Sequence, residues 1–202
     1  HQTEGGLLRA SGIYEFADDY AFLIQAALDL YQATVNDHFL DHARILQTDF
    51  DSKFWDASRG AYFYTPSSGD SIIMRVKDEY DGAEPSANSV AARNLLRLSL
   101  LCEDSRYRQK YDQLVQYFER YLQAAPPAMP LLVGTTALVD TNVICFNSKV
   151  YQPREIRDAG RASHKPFLLK GDTALDSRIV VCRGQKCLAP INGIEGLTRI
   201  LA

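Results

Sequence analysis

Asp81 and Glu84 stand three residues apart in the run Asp81-Gly82-Ala83-Glu84-Pro85-Ser86-Ala87-Asn88. Asp19, followed by Tyr20, opens an apolar-periodic stretch further upstream. Carboxylates do general acid/base work, and Tyr, Ser and Asn hold the hydroxyl groups of polar substrates. Arg75 and Lys77 alternate along a short run that reads as a strand, so both face one side and offer charge to an oxyanion or a phosphate. The candidate catalytic residues are therefore Asp81, Glu84 and Asp19, and the candidate binding residues are Tyr20, Arg75, Lys77, Ser86 and Asn88. Structural readings stand beside these. Asp19 suits a helix dipole, Ser86 caps a helix, Asn88 closes a turn, and Arg75 pairs with Asp81 or Glu84.

Other chemistry-bearing residues form weaker patterns. His38 and His42 are spaced to share one helix face with Asp41 between them, but the H-E-x-x-H arrangement is missing. His164 lies in a loop before Pro166, and Trp55 beside Phe54 offers either a stacking surface or core packing. Cys182 and Cys187 have four residues between them, so they are not a C-x-x-C pair, and they bridge only if a turn brings them together. Unpaired thiols in a reducing compartment are the default for Cys102, Cys145, Cys182 and Cys187; a redox accessory role has only the Cys182/Cys187 pair behind it. No metal site and no cofactor is expected. Dinucleotide, P-loop and nucleophile-elbow motifs are absent from the sequence.

These residues need elements to position them. Tyr20, Leu23, Ile24, Ala27, Leu28 and Tyr31 recur at helical spacing, as do Phe39, Ala43, Leu46 and Phe50 after a cap at Asn36 or Asp37. The short link predicts an antiparallel pair. A third helix is expected from Ser86 or Ala87 through Cys102, and a fourth after Asp104, ended by Pro126, Pro127 and Pro130. Between the pairs, Ala61–Thr65 and Ser71–Val76 read as a short hairpin, with Asp78–Pro85 as an acidic loop. Val143–Phe146, Phe167–Leu169 and Ile179–Cys182 read as strands and Gly193–Leu201 as a last short helix.

Size and charge bound the rest. The 202 residues are 46% hydrophobic and 23% charged, which fits one globular domain, or one and a small appendage. The formal net charge of -3 offers no general attraction to nucleic acid or to an anionic membrane. No apolar run approaches the roughly 20 residues of a membrane span. No signal peptide is visible, so the compartment is left open beyond an expectation of solubility.

Four segments carry a resemblance. They are Asp18–Ile24 (DDYAFLI), Lys53–Phe63 (KFWDASRGAYF), Asp81–Leu98 (DGAEPSANSVAARNLLRL, after Arg75-Val76-Lys77) and Val181–Pro190 (VCRGQKCLAP). In order and spacing they resemble the C-terminal part of the spermatogenesis-associated protein 20 family, over about Leu7–Leu122 and patchily beyond. The resemblance implies a mainly α fold of antiparallel helical hairpins, part of an (α/α)6 toroid similar to six-hairpin glycosidases and N-acylglucosamine 2-epimerases. Small β elements and a mixed α/β tail accompany it, with residues 1–125 as the toroid section and 126–202 as the closing tail. It further implies a carbohydrate-active module, an epimerase, isomerase or glycosidase acting on a sugar ligand at the Asp19/Tyr20 and Asp81–Asn88 rim. The alternative is a non-catalytic interaction or structural module that partners a thioredoxin-like domain, which the family carries N-terminally. Where the family has Gly-Gly before an aromatic pair, this chain has Gly60-Ala61.

Overall fold

The computed structural model describes residues 2–3, 6–10, 13–67, 74–161, 166–184 and 186–201. Four long helices come from the periodic stretches: α1 (Ala17–Thr34), α2 (Asp37–Phe54), α3 (Ala87–Cys102) and α4 (Ser105–Ala124). Three of the four starts carry a side-chain cap. Asn36 accepts the His38 amide at the head of α2, Ser86 the Ser89 amide at α3, and Asp104 the Arg106 amide at α4. Val35 and Glu103 turn the chain in the left-handed region after α1 and α3, so α1/α2 and α3/α4 fold back as antiparallel hairpins. Their inward faces are mainly apolar: Tyr20, Ile24 and Leu28 of α1, Phe50 and Phe54 of α2, Leu95 and Leu98 of α3, and Phe118 of α4 are buried, with Gln47 and Asn94 buried among them. Leu23, expected in the α1 stripe, lies instead on the outer face at 42% exposure.

Ahead of α1, strands β1 (Gln2–Thr3), β2 (Gly6–Ala10) and β3 (Ile13–Tyr14) make an antiparallel ribbon. After α4 the prolines end the helical run, and α5 (Pro130–Thr136) leads into a mixed sheet. The sheet comprises β4 (Asn142–Phe146), β5 (Phe167–Gly171), β6 (Arg178–Arg183), β7 (Lys186–Cys187) and β8 (Ile191–Asn192), in the order β5-β4-β6-β7 with β8 also on β6. Only β4 and β5 are parallel, and α6 (Pro153–Gly160) makes their crossover. The last helix, α7 (Gly193–Leu201), packs Leu197 into the core. One sheet face (Ile144, Phe146, Ile179, Val181) is buried, and these residues join the helical hydrophobic cluster.

Gln32 of α1 welds the layers together. Its amide nitrogen donates to the Leu169 carbonyl (2.9 Å), and its amide oxygen accepts the Leu169 amide (2.7 Å). Tyr31 accepts the neighbouring Gly171 amide at 3.2 Å.

This architecture corrects the expected (α/α)6 toroid. Among the described residues there are seven α-helices, of which only two pairs are long antiparallel hairpins, and an open sheet. The chain after α4 builds strands that pack β5 on α1 and α3, and those strands close the helical layer without further hairpins. The hairpin expected at Ala61–Thr65 and Ser71–Val76 also differs. The only bridge described there joins Trp55 to Tyr62, residues 74–80 are irregular, and residues 71–73 lie outside the described residues.

Candidate functional site

Arg75, Lys77, Asp81, Glu84 and Ser86 lie on the strap that connects α2 to α3, described over residues 55–67 and 74–86. Asp56 begins it. Its Oδ1 accepts the Ser58 amide (2.9 Å), the Ser58 hydroxyl (2.6 Å) and the Arg59 amide (3.2 Å), an Asx turn written locally as Asp-x-Ser. Its Oδ2 accepts the Lys77 ammonium at 2.9 Å. Lys77 also donates to the Gly60 carbonyl and sits over the rings of Tyr117 (3.9 Å) and Phe63 (4.9 Å). Burial pushes the Asp56 carboxyl up, but the bonds from Ser58 and Lys77 outweigh it and hold the group well below the usual carboxylate range. Burial lowers Lys77, and its bond to Asp56 offsets only part of that.

Asp81 is 8% exposed and ties two elements at once. One carboxylate oxygen accepts the Ser86 amide (2.8 Å) at the approach to α3, and the other accepts the Leu131 amide (2.9 Å) in the first turn of α5. Ser86 caps α3, and its hydroxyl lies 3.0 Å from that of Ser89. Asn88 grips Tyr62 on both backbone groups, accepting its amide (2.8 Å) and donating to its carbonyl (3.0 Å). Glu84 is exposed on the loop surface. Arg75 donates to the carbonyls of Thr65 (3.0 Å) and Lys53 (3.1 Å) and lies over the Phe63 ring; neither Asp81 nor Glu84 is its partner.

Asp19 is separate from this cluster. It accepts the Phe16 amide (2.9 Å) at the head of α1 and pairs with Arg9 (3.2 Å). Tyr20 is fully buried, donates to Asp49 and accepts from Lys53 (2.8 Å), while Lys53 reaches Glu15 (2.8 Å). Burial and Asp49 push the Tyr20 phenol up to about 12. The structure thus gathers Arg75, Lys77, Asp81 and Ser86 on the strap, with Asn88 gripping it from the first turn of α3, and places Asp19 and Tyr20 on the α1/α2 side.

Sequence reasoning missed Asp56, Tyr62, Asp51 and Lys110. The Tyr62 hydroxyl donates to Asp51 (2.6 Å), which also pairs with Lys110 (2.6 Å). Only Asp56 had a local signal, its Asp-x-Ser turn. His38 is exposed at the start of α2, His164 lies outside the described residues, and Trp55 packs edge-on against Tyr62. No group of three or more His, Cys, Asp or Glu among the described residues is placed to hold a metal ion. Likewise, no helix among them is long and apolar enough to cross a membrane.

The chain matches no family model. It is 42% identical over 214 residues to an uncharacterized protein of Caenorhabditis elegans, covering 93% of this chain and 28% of that relative. It is 32% identical over 213 residues to spermatogenesis-associated protein 20 of Homo sapiens, covering 92% of this chain and 27% of that relative. The Mus musculus protein of the same name is 39% identical over 134 residues. The chain spans about a quarter of the length of these first two relatives. What is supported is therefore partial similarity to spermatogenesis-associated protein 20, without the six-hairpin ring expected alongside it. The sugar epimerase, isomerase or glycosidase reading depended on a pocket at the end of that ring. The open, sheet-closed fold overturns it, along with the glycosidase-like and N-acylglucosamine 2-epimerase-like descriptions.

Proposed function

We propose that the chain is a non-catalytic structural and interaction module within a longer protein, and that its partner is a thioredoxin-like domain. One observation carries the reading. Most of the polar side chains expected to meet a substrate are engaged within the chain: Asp81 on Ser86 and Leu131, Asn88 on Tyr62, Lys77 on Asp56, and Tyr20 on Asp49 and Lys53. They bind segments distant in sequence, which is the work of a framework. Similarity over most of this chain to about a quarter of longer relatives fits a part that serves a larger whole. In this reading residues 1–125 form the helical section and 126–202 the closing tail. Asp81, Glu84, Asp19, Tyr20, Arg75, Lys77, Ser86 and Asn88 serve architecture: seven of them by the bonds described, and Glu84 through its loop backbone, whose carbonyl accepts the Gly82 amide.

The test has two arms. Asp81→Asn keeps one acceptor oxygen but turns an N–H toward a second donor, and it should cost about 1–3 kcal/mol in urea denaturation. Calorimetric titration with a purified thioredoxin-like domain should give saturable heat. Absence of that heat overturns the proposed partner. The non-catalytic reading falls if Asp81→Asn leaves stability unchanged while an aldose or sugar phosphate raises the melting temperature. Such a ligand at about 100 times its Kd would add about 2.7 kcal/mol.

A further inference from the structure

Cys182 on β6 and Cys187 on β7 are direct cross-strand partners, joined by a disulfide with Cα atoms 3.9 Å apart. The Leu188 amide donates to the Val181 carbonyl at 2.9 Å, so the adjacent 182/187 position is a non-hydrogen-bonded pair. That is the closer-spaced of the two antiparallel pair types. Gly184, at φ 57°, opens the turn between the strands. Cys187 is exposed and Cys182 half-buried. Both line a groove of about 490 Å³ between the sheet and the α3–α4 corner, walled by Glu103, Asp104 and Arg108. The space is within the range of small-ligand sites.

A third sulfur lies in the same groove. Val143 opposes Cys182 and Cys145 opposes Val180, so Cys145 shares the face of the disulfide one diagonal step away. Diagonal neighbours lie roughly 7–8 Å apart, beyond the span of a disulfide without backbone movement. Cys145 is buried, and that burial pushes its thiol up to about 11, so it remains protonated near neutrality. The exposed pair can therefore exchange without internal shuffling to Cys145.

We propose that Cys182–Cys187 is a reversible thiol–disulfide exchange site, reduced through the groove by a thiol reductant, and that it fastens or frees β7. The attacking thiolate forms a bond to the exposed Cys187 sulfur while the Cys182–Cys187 bond breaks. Cys182 leaves as a thiolate and takes a proton from solvent. A second thiol of the reductant then attacks the mixed disulfide and releases Cys187. The reductant is oxidised to a disulfide, and the cysteine pair gains two electrons and two protons. β7 has only two registered pairs with β6, Cys182 with Cys187 and Arg183 with Lys186, so the disulfide is a large share of its attachment. β8 and α7 have their own hold through Ile191 and Leu197. The proposal is independent of the partner proposed above.

The folded, full chain is equilibrated in graded glutathione and dithiothreitol buffers, and its thiols are mapped by differential alkylation and mass spectrometry. Cys182 and Cys187 should convert together in one two-electron step, with Cys102 and Cys145 unchanged. Stopping the glutathione reaction early should trap its adduct on Cys187, whereas reduction by dithiothreitol without any glutathione adduct would make the source a dithiol. Hydrogen exchange should show the Leu188 amide losing protection on reduction, and a Cys182→Ser/Cys187→Ser variant should reproduce that loss. The proposal is overturned if the pair resists both reductants until the protein unfolds, if it stays reduced in oxidised glutathione, or if reduction leaves the Leu188 amide protected.

Discussion

Burial opposes ionisation of Asp56, yet Ser58, Arg59 and Lys77 all donate to it, and its carboxyl lies well below the usual range. A carboxyl depressed in the folded state adds stability that is complete above its unfolded value of 3.8 and is lost as pH falls toward the folded one. Denaturation midpoints should therefore fall as pH drops below about 4, and Asp56→Asn should flatten that part of the profile. Asp56→Ala removes the counter-charge from a buried ammonium and should cost about 3–5 kcal/mol in urea titration. The sequence shows Lys77 as a cation to be offered to a ligand because its partner is 21 residues away. Local spacing carries no trace of such a pairing. Ser86 is the opposite case: a cap acts within three residues, so its structural reading was available from the chain alone.

At the scale of elements, the turn before Tyr62 places two consecutive residues in left-handed backbone, Gly60 at φ 77° and Ala61 at φ 64°. A Cβ on Gly60 would meet the Gln113 carbonyl oxygen at 2.9 Å, so Gly60→Ala should destabilise by about 2 kcal/mol or more. Ala61 already bears the left-handed strain. Ala61→Gly should raise stability by about 0.5–1 kcal/mol, the relieved strain less the added freedom of the unfolded chain, as read by thermal denaturation. The four long helices were legible because periodicity and caps are local signals. The strap was not, since residues 74–80 are held by Asn88, Asp56, the Phe63 ring and one backbone bond from the Tyr64 amide to the Val76 carbonyl (2.7 Å) rather than by a strand ladder. Helix α6 was legible and overlooked: Pro153 at its first position and Glu155 bonded back to the Gln152 amide (2.9 Å) are ordinary start signals.

At the scale of the molecule, two helical hairpins do not determine what closes over them. The α1–α4 pattern fits a ring as well as a sheet-capped layer, and the choice depends on contacts such as Gln32 with Leu169, 137 residues apart. The three strands expected in the last third were found, but their order, with β4 between β5 and β6, is a property of long-range pairing. Gln32→Ala should cost about 1–3 kcal/mol by leaving the Leu169 amide and carbonyl without partners, and the Leu169 amide should exchange faster with solvent. The same contact has a bearing on solubility. β5 is the outermost strand on its side, and a bare strand margin is a template on which another chain can lay itself down. Gln32 presents an amide to that margin in place of a further strand, with Tyr31 beside it on Gly171. One side chain of a helix thus acts as a stopper against self-templating, and its removal would let crowded copies zip together edge to edge.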